Sequence, residues 1–114
     1  MDELDRRSVD ARTGQITYRE AGSGPVVVFM HGLGGNSRTW EEQLSALSGE
    51  CRVVAWDAPG YGGSALQEEN EVAYAEAGLA LFEALGIERA TLVGHSMGGV
   101  VGGRLASIAP EKVE

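Results

Sequence analysis

A serine placed between two glycines is the residue pattern most able to do chemistry in this 114-residue chain. The run Gly94-His95-Ser96-Met97-Gly98 fits the pattern G-x-S-x-G, in which a serine lies on a sharp turn from a strand into a helix. The small residues let strand and helix approach, and the first turn of the helix offers unpaired backbone N–H groups to a developing oxyanion. The pattern predicts Ser96 as a nucleophile. The alternative is a glycine-rich turn whose serine only caps the helix.

A second glycine-rich run lies at 31–35 (HGLGG), directly after an apolar run at 26–30. A backbone N–H from this loop would face the N–H that follows the nucleophile. We therefore predict that the N–H groups of Leu33 and Met97 form an oxyanion hole. His31 is expected to brace the loop rather than transfer protons, and His95 to have a packing or hydrogen-bonding role away from the site.

A third loop, 57–64 (DAPGYGGS), follows another apolar run. Asp57 is predicted to have a structural role, tying down neighbouring backbone N–H groups. An alternative is dinucleotide binding, because Gly32-x-Gly34-x-x-Ser37 precedes a predicted helix and Asp57 ends the next strand. Ser37 stands where that motif has its third glycine, and dinucleotide binding gives no role to the turn around Ser96.

Apolar runs without polar alternation, at 26–30, 53–56 and 91–93, predict strands that are buried on both faces, and the third run lies in a predicted strand over 89–93. Between them, stripes of apolar residues predict helices: Trp40, Leu44 and Leu47 after a possible N-cap at Ser37; Val72, Leu79 and Phe82 between Asn70 and Gly86; and the stretch 97–109, which ends at Pro110.

The order of these elements predicts one domain of the α/β class, with a mostly parallel sheet and helices on both faces. A hairpin over 3–21, with strands at 3–9 and 15–21 and a turn near Thr13 and Gly14, precedes β-α units over 25–109. The strand 89–93 would lie at an open edge of the sheet, which predicts possible self-association through it.

Charge and cysteine content limit the partners. There are 9 basic and 17 acidic residues, for a net charge of −8, which argues against nucleic acid or an anionic membrane as a partner. The lone Cys51 allows no internal disulfide and suits a cytoplasmic protein. Cys51, His31 and His95 are too few and wrongly spaced for a zinc site, so no metal and no cofactor is expected.

Taken together, HGLGG, DAPGYGGS and GHSMGG resemble, in order and spacing, the N-terminal half of an α/β-hydrolase fold protein. The resemblance implies a serine nucleophile at position 96. It disfavours family members with Asp at that position, such as haloalkane dehalogenases and epoxide hydrolases. The motifs are similar to those of small esterases, enol-lactonases and hydrolases that cleave carbon–carbon bonds.

The same resemblance implies a triad in the chain order Ser, acid, His. No His follows Ser96, and the only acids after it are Glu111 and Glu114. We therefore expect residues 1–114 to be the N-terminal part of a single α/β-hydrolase domain, truncated after the helix that follows Ser96. The expected activity is serine-nucleophile hydrolysis of a small-molecule ester, lactone or related carbonyl compound, with the acid and His missing from this chain. The alternative is a non-catalytic remnant that binds a small molecule or a complementing chain.

Overall fold

A computed structural model describes residues 6–65 and 70–114. In this part of the chain, strands and helices come in the order β1 Arg7–Ala11, β2 Gly14–Ala21, β3 Val26–Met30, α1 Glu41–Leu47, β4 Arg52–Trp56, α2 Glu71–Leu85, β5 Thr91–Gly94 and α3 Met97–Ile108. Short 3₁₀ turns occupy Ser37–Trp40 and Pro110–Lys112.

The strands form one mixed sheet in the order β1-β2-β4-β3-β5. β3 pairs in parallel with both β4 and β5, whereas β2 is antiparallel to β1 and to β4. The predicted α/β fold is confirmed. Its parallel part consists of β4, β3 and β5, and the hairpin forms an antiparallel edge. The carboxyl ends of the three parallel strands therefore meet at one rim of the sheet, where the three glycine-rich loops begin.

Helices cover both faces of the sheet, as predicted. Neighbouring residues of β4 belong to different apolar clusters: Val53 packs in the cluster that contains Leu44 of α1, and Val54 in the cluster that contains Phe82 of α2 and Leu105 of α3. Both valines are fully buried. The apolar runs lack polar alternation because each side of the strand meets a helix layer.

The hairpin differs from its predicted limits. The first strand was expected at 3–9, but β1 runs over Arg7–Ala11, and residues 3–5 lie outside the described residues. The pairing continues up to Ala11 opposite Gly14, which leaves Arg12 and Thr13 as the turn. Gly14 has a φ of 126°, a backbone conformation that favours glycine over residues with a side chain.

Two predictions about helix ends and faces were wrong in detail. Ser37 does not cap a helix, because the side chain of Asn36 accepts the capping hydrogen bond from Arg38 N–H while Ser37 is buried. Val72, placed on the apolar stripe of the second helix, is 49% exposed. α2 faces the core through Phe82, as predicted, and also through small residues such as Ala75 and Gly78, which carry too little hydrophobicity to stand out in the sequence.

The caps of α2 follow the sequence prediction. Asn70 Oδ1 accepts a hydrogen bond from Ala73 N–H at 2.8 Å, which satisfies one unpaired donor of the first turn. Gly86 ends the helix in the left-handed conformation with a φ of 69°. These caps define both ends of α2.

β5 forms an edge of the sheet within the described residues. Ala90, just before it, makes a parallel bridge with Val113.

In the ranges 6–65 and 70–114, none of the helices combines the length and apolar character needed to cross a membrane.

Candidate active site

Ser96 lies on the turn between β5 and α3 with φ 54° and ψ −112°. Among the described residues, it is the one non-glycine residue with a positive φ. Such a conformation costs of order 1–3 kcal/mol and persists only where the surrounding structure imposes it. Here the packing imposes it, because a Cβ at Gly98 would overlap the carbonyl oxygen of Met30 and one at Gly94 would lie 2.5 Å from the carbonyl oxygen of Gly98.

The strained turn leaves the Ser96 side chain exposed and without a hydrogen bond to any described residue. Gly98 N–H donates to His95 O at 2.9 Å and Gly99 N–H to Ser96 O at 2.9 Å. The N–H of Met97 has no acceptor within the ranges 6–65 and 70–114. α3 therefore presents an unpaired amide, at its positive dipole end, directly beside the hydroxyl.

The loop after β3 lies against this turn. A Cβ at Gly32 would come within 3.3 Å of Ser96 Cβ, so the two backbones approach closely. The N–H of Leu33, the next residue, also lacks an acceptor in the described part of the chain. The structure thus brings the three predicted site residues, Ser96, Leu33 and Met97, to one rim of the sheet. Their catalytic roles stay predictions.

His31 anchors the start of this loop. Its Nδ1 donates to Gly32 O at 2.8 Å, and its Nε2 accepts from Ala58 N–H at 3.0 Å. The ring is fully buried and makes an edge contact with Tyr61, with the centroids 4.9 Å apart. Burial lowers the pKa of the imidazole, against the opposing effects of the Gly32 carbonyl and the Asp57 charge. His31 is therefore a neutral brace with both nitrogens engaged, as its predicted role requires.

His95 lies closer to the site than the sequence indicated. It is exposed, but its Nδ1 would be 2.8 Å from a Cβ at Gly32. The ring therefore packs against the backbone of the loop after β3, and Gly32 is required to leave room for it.

Asp57 anchors the end of the same loop. Its carboxylate is fully buried and accepts hydrogen bonds from Ser37 N–H at 2.7 Å and from Thr17 Oγ1 at 2.6 Å. Arg6 Nε lies 3.1 Å from Oδ2. These partners neutralise and solvate a charge that would otherwise be costly to bury. The structural role predicted for Asp57 agrees with this geometry. Dinucleotide binding is not supported, because the carboxylate faces inward and cannot reach a ribose.

Three further members of this network, Thr17, Arg19 and Ser64, have no signal in the sequence that marks them. Ser64 Oγ donates to the Asp57 carbonyl at 2.6 Å and accepts from Thr17 N–H at 2.9 Å. Arg19, which is also buried, donates to Ser37 Oγ at 3.1 Å. Thr17 and Arg19 lie on β2, and Thr17 is 40 residues from Asp57 in the chain, so nothing in their local sequence indicated the contact. Together they hold the loops after β3 and β4 against the hairpin.

Metal ligands are not clustered in the described part of the chain. Within residues 6–65 and 70–114, no group of three or more His, Cys, Asp or Glu side chains could hold a metal ion.

A sequence profile of the alpha/beta hydrolase fold matches residues 25–114. The chain belongs to the α/β-hydrolase fold family. Among curated relatives, it is 44% identical over 92 positions to the dihydrolipoyllysine-residue acetyltransferase component of the acetoin cleaving system of Pseudomonas putida, covering 79% of this chain. It is 35% identical over 117 positions to a fluoroacetate dehalogenase of a Burkholderia species, covering 96% of this chain.

Solved structures agree with this membership. An epoxide hydrolase from Vigna radiata superposes with a TM-score of 0.90 at 34% identity over 97% of this chain. An epoxide hydrolase from an endophytic Streptomyces gives a TM-score of 0.91 at 33% identity over 99% of the chain. The chain spans 25% and 38% of the two curated relatives and 38% and 36% of the two structures. The names of these proteins include an acetyltransferase component, a dehalogenase and an epoxide hydrolase, so membership of the family does not by itself specify a reaction.

Proposed function

We propose that this chain carries the nucleophile and oxyanion hole of a serine hydrolase that cleaves an ester, lactone or related carbonyl compound through an acyl-enzyme. The observation that supports it most is the strained turn at Ser96, where the exposed hydroxyl and the N–H of Met97 make no hydrogen bond to any described residue. Strain of this kind has no structural benefit at a simple helix cap, where a serine side chain would accept a hydrogen bond from the first turn.

In the proposed reaction, Ser96 Oγ adds to the substrate carbonyl carbon and its proton passes to a general base. The carbonyl oxygen becomes an oxyanion that the N–H groups of Leu33 and Met97 stabilise. Collapse of this intermediate expels the alcohol, which takes up the proton, and leaves an acyl-serine. Water then releases the acid and regenerates the hydroxyl. His31 is unsuited as the base, because its Nε2 already accepts from Ala58 N–H.

The residue at position 96 separates this proposal from epoxide opening. The resemblance in sequence implies an Asp nucleophile at the equivalent position of epoxide hydrolases and haloalkane dehalogenases, whereas this chain has Ser96. A serine alkoxide suits acyl transfer, in which the oxyanion hole holds the developing charge. Turnover of a simple epoxide by the protein, with no turnover of esters, would contradict the proposal.

The test is labelling by an alkyl fluorophosphonate of the protein expressed from its complete reading frame, followed by mass spectrometry of the labelled peptide. The label should lie on Ser96, and Ser96→Ala should abolish it. Ser45→Ala is the matched control, because Ser45 is exposed on α1, and it should leave labelling unchanged. Hydrolysis of a chromogenic short-chain ester should fall at least about 10³-fold in Ser96→Ala. Equal rates would remove Ser96 from the mechanism.

The second candidate is a non-catalytic member of the family that binds a small molecule or a complementing chain. The observation that favours it is that neither described histidine hydrogen-bonds to Ser96, and both ring nitrogens of His31 are engaged by Gly32 and Ala58. A serine without a base is a weak nucleophile at neutral pH. Labelling of Ser96 no faster than of exposed serines such as Ser45 would select this candidate over the hydrolase.

A further inference from the structure

A cavity of about 480 Å³ opens between the first turns of α2 and α3, below the loop that follows β4. Its walls include the side chains of Tyr61, Tyr74, Val100 and Val101. The volume lies within the usual range for small-molecule sites, roughly 300–1,000 Å³. A volume of this size has room for a ring with a short side chain.

The cavity is continuous with the candidate active site. Leu33 and Met97, the two residues with unpaired amides beside Ser96, both line it. A group held in the cavity therefore lies against Met97, the residue that follows the nucleophile in the chain. Leu33 is 79% exposed and Val100 54%, so two large apolar side chains stand at the mouth with little cover from the described residues.

The inner end of the cavity is closed, because α2 and α3 are in contact just beyond it. A Cβ at Gly78 would come within 2.9 Å of Leu105 Cδ1, and Val101 is only 2% exposed. The helices are also joined at the surface by an ion pair of 2.6 Å between Arg104 Nη2 and Glu71 Oε1. The space is thus limited in depth and suits a compact group rather than a long chain.

The walls offer no free cation to an anionic group. None of the described lining residues is basic, and the charge of Glu71 is already paired with Arg104, which lies outside the lining. The remaining walls are hydrocarbon, two phenol rings and the amide of Asn70, so a buried carboxylate would lose its hydration without gaining a partner. The net charge of −8 also disfavours anions.

We propose that this cavity receives the apolar part of the substrate, a neutral aryl or short branched alkyl group, and excludes substrates with a carboxylate at that end. As a substrate site, the cavity rests on the proposed serine-hydrolase function. Its occupancy, however, can be measured without hydrolysis.

The experiment uses the Ser96→Ala protein, which leaves an ester intact, and measures binding by NMR titration. The probes are methyl phenylpropanoate and the same ester with a carboxylate at the para position of the ring. The neutral ester should bind at least about tenfold more tightly, because the carboxylate would lose hydration in a cavity that offers it no free cation. Glu71→Gln leaves Arg104 without its partner and should reduce that preference to about threefold or less.

A second pair of variants locates the binding. Val100→Trp places a large side chain at the mouth from an exposed helix position, and should weaken binding of the neutral ester by about tenfold or more. Ile108→Trp is the matched control: it lies on the same helix, is 41% exposed and does not line the cavity, so binding should stay within about twofold. Equal binding of both probes, or an unchanged affinity in Val100→Trp, would overturn the assignment.

These outcomes separate the two proposals. If Ser96 is labelled by the fluorophosphonate but Val100→Trp leaves the affinity of the probes unchanged, the nucleophile is supported and the cavity assignment is wrong. If the probes respond as expected but Ser96 is not labelled, the cavity binds apolar ligands and the hydrolase proposal is wrong.

Discussion

Asp57 Oδ1 accepts a hydrogen bond of 2.7 Å from the backbone N–H of Ser37, and this contact fastens the far end of the loop that carries Leu33. The near end is fastened by His31, whose Nε2 accepts from the N–H of Ala58 at 3.0 Å. Two consecutive residues at the end of β4 therefore hold both ends of the loop after β3. This arrangement lets the amide of Leu33 keep a fixed position without a hydrogen bond of its own.

Replacing Asp57 should destabilise the protein. Asp57→Ala leaves Thr17 Oγ1 and Ser37 N–H without their acceptor and should lower the free energy of unfolding by about 3–5 kcal/mol. Asp57→Asn keeps one acceptor and should cost about 1–3 kcal/mol. Urea unfolding measures both. Asp10→Asn, at an exposed position of β1, is the control and should stay within about 0.5 kcal/mol. Equal losses in Asp57→Ala and Asp10→Asn would contradict the anchoring role.

Stability should depend on pH through His31. Because burial lowers the pKa of its imidazole below the ordinary value of about 6.5, the unfolded chain binds more protons than the folded protein just below that pH. The stabilisation is complete above about pH 6.5, declines as the pH falls through that value towards the folded pKa, and then levels off. Urea midpoints between about pH 8 and pH 5 measure it. The decline should shrink in His31→Gln, and an unchanged decline would assign it to other groups.

Two glycines of α3 provide a matched test of the close approach behind Ser96. Gly98→Ala should destabilise the protein by about 1–3 kcal/mol or more, because the new Cβ overlaps the Met30 carbonyl oxygen. Gly103→Ala meets nothing within 4 Å and should stabilise the helix by about 0.5–1 kcal/mol. Thermal unfolding of the two variants should thus shift in opposite directions. Stabilisation by Gly98→Ala would show that strand and helix are not in contact there.

The role of Met97 can be tested at its backbone. Replacing it with the corresponding α-hydroxy acid exchanges the N–H for an oxygen and keeps the side chain. Loss of one oxyanion donor should slow fluorophosphonate labelling of Ser96 by about 10²–10³-fold. Circular dichroism should be unchanged, because this N–H makes no hydrogen bond to any described residue. A labelling rate within about twofold of the parent protein would exclude Met97 N–H from the oxyanion hole.

The edge at β5 predicts self-association. Among the described residues, Thr91–Gly94 pairs on one side with β3 and with no strand on the other side beyond the bridge from Ala90 to Val113, and we propose that a second copy of the chain pairs there. Sedimentation velocity should show a larger species that grows with protein concentration. Thr91→Lys, which places a charge on the exposed edge, should reduce it. A protein that stays monomeric at all concentrations would contradict this prediction.

The sequence predicted most accurately those element limits that depend on residues close together in the chain. The limits of β3, the cap at Asn70 and the left-handed Gly86 depend on residues a few positions apart, so the pattern indicates them directly. The face of α2 was predicted less well, since Val72 is exposed although it is apolar. Burial depends on what packs against each face, and small residues fill the contact here.

The same division holds at the site. The spacing of glycines around Ser96 determined the strand–turn–helix and the candidate nucleophile, because a tight turn needs small residues at fixed positions. Only the tertiary structure decided that Thr17 and Ser64 support Asp57, and that a cavity lies between α2 and α3 beside Leu33. Contacts of this kind join residues tens of positions apart, and their partners are set by the order of strands in the sheet rather than by any local pattern.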